Sequence, residues 1–321
     1  MAGSFGKIDY RLRPAKAIER RMMAEAFLRL RPFGSVESYR YVGMGSVYFS
    51  DFTLFHNVCG FESLVSIEDE TNEVVQERFR FNVPLGHLEL CFGHSNTVLP
   101  TLPWDLRSVV WLDYDGVFTK EVLTDIRYLA SKLVPGSMLS VSVNAELRDE
   151  EEGKKPRLQV LTERLGSIGK IPALVTSAGA IKPGEVAKVY REIMTQEITD
   201  GINDRNAGRP AGQKFSFRQV FFFEYRDGAP MLTLGWVIFD DGQSHTYGAC
   251  SFNGLLFFRP GDEPFSIVPP LLTNAEMREI NRSDEVGTFS HLDDLPLPKS
   301  ETDKFIKLRR YWPLGSFADL T

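Results

Sequence analysis

Residues 39–70 place the strongest constraint on the fold. β-type residues run into Gly43-Met44-Gly45-Ser46, a helix-like segment follows, and a second apolar run ends in Glu68-Asp69-Glu70. A glycine turn between a strand and a helix lets the backbone approach a ligand closely, and a carboxylate closing the next strand offers two acceptor oxygens to a vicinal diol. This order of parts is that of one nucleotide-binding half of an α/β fold. A mononucleoside-type ligand is the first hypothesis; an ordinary two-glycine turn is the alternative.

Spacing separates the nucleotide classes. A dinucleotide fingerprint needs a third glycine three residues beyond Gly45, where this chain has Tyr48, which argues against NAD or FAD without excluding them. No Gly-Lys-Ser/Thr follows the turn, so the phosphate-loop pattern is absent. Glu68 lies 25 residues after Gly43, near the spacing of about 20 expected for a ribose-binding carboxylate. Leu88-Glu89-Leu90-Cys91-Phe92 reads as a third strand ending in Gly93-His94-Ser95-Asn96-Thr97, small polar groups suited to the edge of an adenine. Val109-Val110-Trp111-Leu112 reads as a fourth strand delivering Asp113-Tyr114-Asp115-Gly116.

These four strand ends resemble motifs I to IV of the class I S-adenosylmethionine-dependent methyltransferases, over roughly residues 36–145. Segments 93–100 and 112–116 are most similar to small-molecule O-methyltransferases of the catechol and caffeoyl-CoA type. The resemblance implies an α/β, Rossmann-like sheet of parallel strands closed by an antiparallel hairpin, with S-adenosylmethionine as cofactor. It implies that Gly43, Gly45 and Ser46 pass under the methionine part, that Glu68 takes the ribose, and that Ser95 and Asn96 hold the adenine with His94 as neighbour. Asp113 would sit beside the methionine moiety and the reacting centre. In the metal-dependent members of that group, Mg²⁺ is held by the motif IV aspartate and by an Asp-Asn pair after the fifth strand. Asp113 and Asn144 match two of those positions, but Val143 stands at the third, and Gly116 replaces the lysine of catechol-type enzymes. Both departures weigh against Mg²⁺. Asp115 or Glu146 is then the residue to complete a cation site, and Asp115 acting alone as general base is the alternative. The predicted catalytic set is Asp113, Asp115 and Asn144.

The elements that follow agree with such a sheet. Apolar residues at 122, 123, 126, 129, 130 and 133 predict a helix, stopped by Pro135-Gly136, and residues 138–143 a fifth strand. Two β-rich runs, 218–225 and 231–239, joined by Arg226-Asp227-Gly228-Ala229-Pro230, predict the hairpin. Residues 147–214 form an insertion, with a charged run at 148–155, helices near 157–165 and 184–200, and a mobile loop at 203–213; we read it as a helical cap over the acceptor. The division expected is a cofactor-binding domain over 1–242 and a C-terminal accessory region over 243–321. The accessory region is expected to hold a second hairpin (255–258 with 265–268) and helices at 274–281 and 300–310. Its candidate roles are acceptor selection, homo-oligomerisation or a partner protein, with a cover for the sheet edge as the plain alternative.

Charge narrows the partners. The net charge of −6 disfavours nucleic acid as a whole, yet residues 7–31 carry eight Lys/Arg against three acids. Within 13–27 the apolar residues 18, 22, 23, 26 and 27 mark a helix with one buried face, and the charges are expected mainly on a solvated one. Lys16 is the candidate among these cations to reach the cofactor pocket. Three widely spaced cysteines allow neither a disulfide framework nor a four-cysteine zinc site, and neither a membrane span nor a signal-peptide core is seen, so a cytoplasmic protein is expected. The five histidines show no close ligand spacing, and no Gly-x-Ser-x-Gly elbow is present. Three functions remain: methylation on oxygen of a small or nucleotide-like acceptor; methylation of nucleic acid or protein through the basic helices; and a non-catalytic S-adenosylmethionine sensor or interaction subunit.

Overall fold

In a computed structural model, the protein is described over residues 13–148, 155–285 and 296–313. The expected charged run at 148–155 therefore falls mostly outside the described residues. Eight strands are present there: β1 (Arg40–Gly43), β2 (Ser63–Glu68), β3 (Leu88–Phe92), β4 (Ser108–Val117), β5 (Ser137–Asn144), β6 (Phe215–Asp227), β7 (Ala229–Asp240) and β8 (Phe265–Ile267). The helices are α1 (Pro14–Leu28), α2 (Ser50–Cys59), α3 (Glu73–Asn82), α4 (Ser95–Val98), α5 (Lys120–Lys132), α6 (Arg157–Leu165), α7 (Ala173–Ala178), α8 (Val186–Asn206), α9 (Ser244–Ala249), α10 (Asn274–Glu285) and α11 (Lys299–Leu308). The strands form one sheet in the order β3-β2-β1-β4-β5-β7-β6-β8. β1 to β5 are parallel, β7 runs antiparallel to both β5 and β6, and β8 lies parallel to β6. This is the expected Rossmann-like sheet of parallel strands with an inserted antiparallel seventh strand.

Both faces of the sheet are covered, and the side-chain alternation of each strand shows how. Val109 and Trp111 of β4 enter the core layer shared with α1 and α2, whereas Val110 and Leu112 enter the layer shared with α5 and α8. Phe221 and Phe223 of β6 point into the first layer and Phe222 into the second, so the triple phenylalanine is buried strand, as its pattern suggests. Helix α1 begins at Pro14, where a missing N–H is harmless, and Asp227 at the hairpin tip accepts the Lys16 backbone N–H at 2.9 Å.

Three expectations are corrected. Residues 203–206 are not loop: α8 runs through Asn206, whose side chain bonds the Phe215 backbone in both directions, at 2.9 and 2.7 Å, and Asp204 is paired with Arg127 at 2.7 Å. Gly201, expected next to that loop, instead lets α8 touch α5, because a Cβ there would lie 2.8 Å from the Arg127 carbonyl oxygen. The second hairpin does not form. Phe258 N–H turns back to the Leu255 carbonyl, Phe257 is buried beside Phe223, and only Phe265–Ile267 joins the sheet, parallel to β6. α10 is longer than expected and α11 starts at Lys299. Among the described residues no helix is long and apolar enough to cross a membrane.

Gly235 of β7 faces the Phe221 ring, and a Cβ at that position would lie 2.1 Å from it, while Phe223 stacks on the same ring at 4.8 Å. Gly235→Ala is expected to lower unfolding stability by about 1–3 kcal/mol through overpacking. Urea denaturation checks this, and an unchanged midpoint would show that Phe221 can move aside freely.

Candidate functional site

The strand order reverses direction between β1 and β4, and ligands of open α/β sheets bind at such a switch point, outside the carboxyl ends of the strands. The turn after β1 is built tightly there. A Cβ on Gly43 would meet the Tyr41 hydroxyl at 2.6 Å, and one on Gly45 the Phe49 ring at 2.6 Å, so bulky aromatics beneath the turn exclude any side chain. Ser46 and Phe49 adopt left-handed backbone conformations (φ 50° and 45°), strain that surrounding packing must hold. Gly45 N–H donates to Glu68 Oε1 at 2.8 Å, and the Ser66 hydroxyl donates to the same oxygen at 2.6 Å. The two halves of the opening motif thus meet: β2 presents its terminal carboxylate directly to the glycine turn of β1. Burial pushes the Glu68 carboxyl up to about 7, against the pull of the Ser66 and Gly45 hydrogen bonds.

The groups after β3 are placed differently from one another. His94 is exposed on the rim, 3.3 Å from Asp69. Ser95 and Asn96 turn inward to a residue that sequence reasoning did not single out, Asp125 of α5: the Ser95 hydroxyl donates to Oδ2 at 2.5 Å and the Asn96 amide to Oδ1. The Tyr114 hydroxyl also donates to Asp125 Oδ2, at 2.6 Å. Asp125 is buried, and the signal for it was an acid inside the amphipathic helix 120–133. These hydrogen bonds lock the turn after β3 to the strand end of β4 through one carboxylate.

Asp113 is half-buried in β4, where its regular pairing with β5 ends before a bulge, with 18% of its side chain exposed. Its Oδ1 receives the ammonium of Lys16 at 2.6 Å. Lys16 is only 2% exposed, and its Nζ also donates to the Tyr225 hydroxyl at 3.0 Å, lies 3.0 Å from Glu19 Oε2, and sits 4.4 Å above the Trp111 ring. Glu19 is fully buried; burial raises its carboxyl, Lys16 pulls it back and Asp113 raises it further. Behind it, Thr233 donates to Glu19 Oε1, Thr233 and Ser142 share a hydrogen bond at 2.7 Å, and Trp111 Nε1 donates to Ser142 at 2.8 Å. The solvated face expected for α1 is therefore corrected: Lys16, Glu19 and Arg20 are all buried. A Lys-Glu pair three residues apart within the apolar stripe was the readable trace of this.

Asp115 is exposed and Asn144 is half-buried; Asp113 pairs with Ser142, and a bulge follows before Val117 pairs with Asn144. Asn144 Oδ1 accepts the Glu146 backbone N–H at 2.7 Å. With Asp113 bound to an ammonium and Asn144 to a backbone amide, the donor set does not fit a divalent cation. Among the described residues no three His, Cys, Asp or Glu side chains gather in a metal-holding group.

A family model described as "Putative O-methyltransferase" matches residues 8–320. No curated protein matches the chain. Among solved structures, the O-methyltransferase from Bacillus cereus in complex with SAH is similar over 73% of this chain and 86% of its own, at 11% identity and a TM-score of 0.36. Cofactor-bound Rv0187 from MTB is similar over 70% of this chain and 88% of its own, at 15% identity and a TM-score of 0.33. LepI in complex with SAM is similar over 63% of this chain at 10% identity and a TM-score of 0.33, and the chain spans 43% of that protein's length.

Glu68 makes stability depend on pH. Its carboxyl sits at about 7 when folded, against 4.5 for the ordinary group. The unfolded chain therefore loses this proton first, and stability falls as pH rises from the ordinary value to the folded one. Relative to wild type, Glu68→Gln is expected to gain stability across that window, by up to about 3 kcal/mol above it. Parallel stability curves for the two unliganded proteins would refute the burial effect.

Proposed function

The chain belongs to this O-methyltransferase family, and we propose that it methylates an oxygen of a small-molecule acceptor with S-adenosylmethionine as donor. The observation that carries the cofactor assignment is the bond between Glu68 and Gly45 N–H: a buried carboxylate held against a turn that admits no Cβ, at the switch point of the sheet. Gly43, Gly45 and Ser46 would lie under the methionine part, and Glu68 would take the ribose hydroxyls. His94 would border the adenine from the rim. Ser95 and Asn96, whose side chains serve Asp125, would shape the adenine wall instead of bonding the base through their side chains.

When bound, the cofactor supplies an activated methyl group on a sulfonium. The residues of the chain hold the partners in attack geometry and keep water out. Asp113 of β4 would face the reacting centre, and Asp115 and Asn144 would stand on the acceptor side, with exposed Asp115 as the base for the acceptor hydroxyl. The acceptor would lie under the start of the insertion, where Arg164 of α6 donates to the Glu146 and Arg148 carbonyl oxygens at 3.0 and 2.9 Å and so ties the insertion to the end of β5.

Calorimetry with S-adenosylmethionine and S-adenosylhomocysteine tests the cofactor assignment on wild type and Glu68→Ala. Both ligands are expected to bind wild type, with affinity at least about tenfold weaker in the variant, the scale of a lost charge-assisted hydrogen bond. Equal affinities would remove Glu68 from the ribose site, and no binding to wild type would remove the cofactor.

A further inference from the structure

The buried charge cluster around Lys16 serves more than the docking of α1. An ion pair moved out of water loses hydration that its attraction only partly restores, and apolar residues of similar volume would stabilise the same interface at least as well. Here the pair is not at an arbitrary place. It joins the first helix to Asp113 of β4, whose side chain is 18% exposed against 3% for Lys16 and which stands where the regular pairing of β4 with β5 ends.

Lys16 is held from every side. Its stem is buried, Trp111 lies under the ammonium, and Tyr225, Glu19 and Asp113 surround it. Asp113 Oδ1 is consequently fixed. The other charged or titratable groups packed near Asp113 are Arg20 of α1, Tyr41 of β1 and Asp51 of α2, with Asp227 beside the backbone of Lys16.

Resting on the cofactor reading above, we propose that Lys16 is a positioning residue whose charge offsets Asp113 at the methyl-transfer position, so that the site does not over-bind the sulfonium donor relative to its neutral thioether product. The chemistry supplies the reason. As the acceptor oxygen, its proton taken by Asp115, forms its bond to the methyl carbon, the carbon–sulfur bond breaks, its electron pair stays on sulfur, and the positive charge there disappears. An uncompensated carboxylate beside that sulfur stabilises the ground state more than the transition state, and binding of that kind slows the chemical step. A lysine 2.6 Å behind the carboxylate removes most of that bias and leaves the contact geometry intact.

The two ligands differ at this position by one charge, so the ratio of their dissociation constants (thioether over sulfonium) reads the local field without any acceptor. Calorimetry on wild type, Lys16→Met, Lys16→Arg, Asp113→Asn and the double variant Lys16→Met/Asp113→Asn gives this ratio. The ratio is expected to rise at least about threefold in Lys16→Met and to fall at least about threefold in Asp113→Asn, as a unit charge several ångströms away requires. It is expected to stay within about twofold of wild type in Lys16→Arg and in the double variant, where the charges again balance. A ratio unchanged in both single variants, with both ligands weakened together, overturns the proposal and leaves Lys16 as an anchor for α1. Should Lys16→Met fail to fold, Asp113→Asn and Lys16→Arg decide the matter on the same ratio. Absence of binding to wild type would instead overturn the cofactor reading, a separate outcome.

Discussion

Everything in this protein depends on a central strand that is buried on both faces. Val109 and Trp111 of β4 are covered by one helical layer and Val110 and Leu112 by the other, and all four are fully inaccessible. Such a strand can carry no polar side chain along its length without an internal partner, so chemistry is pushed to its end. The first polar residue reached is Asp113. On β2 the corresponding residue is Glu68, and on β1 the strand stops at Gly43, in register with Ser66. One packing rule thus gathers a carboxylate, a second carboxylate and a glycine turn on the same edge.

The half-buried position of Asp113 then dictates what must come from elsewhere in the chain. A carboxylate with little access to water needs a cation, and α1 delivers Lys16 to it from 97 residues earlier in the sequence. The helix is held in that pose by Asp227, which caps its first turn from the β6–β7 hairpin, and by Glu25, which receives Arg310 at 2.9 Å and the Tyr311 hydroxyl. Loss of one partner from such a buried pair leaves the other charge unpaired and is strongly destabilising. The N-terminal helix, the hairpin and the C-terminal segment are therefore coupled to the strand end through named polar contacts, beyond their shared apolar core.

Local patterns were readable in the sequence and long-range pairings were not. The ends of β1, β2 and β3 at 43, 68 and 92, the helix after Lys120 and the hairpin around Gly228 all follow from alternation, glycine turns and helical period, which act within a dozen residues, whereas β4, read as 109–112, continues through a bulge to Val117. The reading of residues 203–206 as loop went wrong because glycines at 201 and 208 look like turn residues, whereas Gly201 is there for contact with Arg127. The supposed strand at 255–258 has the right alternation, but a turn bond from Phe258 to Leu255 closes it before any partner is met. Lys16 could be picked as a pocket cation from its place near the start of a basic helix; its burial with Glu19 could not, because the partners that neutralise the cluster come from residues 113, 225 and 233. Ser95 and Asn96 were recognisable by type and position, but their common acceptor, Asp125, lies 30 residues beyond Ser95, past the whole of β4, and only the fold brings it near.

The two carboxylates at the strand ends have been given opposite environments. Glu68 is held by backbone and hydroxyl donors, and burial pushes it to about 7, so near neutrality it can exchange a proton as its surroundings change. Asp113 is salt-bridged to an immobilised ammonium. A diol and a sulfonium ask for these two different things: the first needs a strong acceptor that tolerates a dry site, the second a field that does not hold it too firmly. That one sheet edge offers both, from residues 45 positions apart in the chain, follows from the parallel register of β2, β1 and β4. The register fixes where the strands end, and the partners recruited there fix what each carboxylate does.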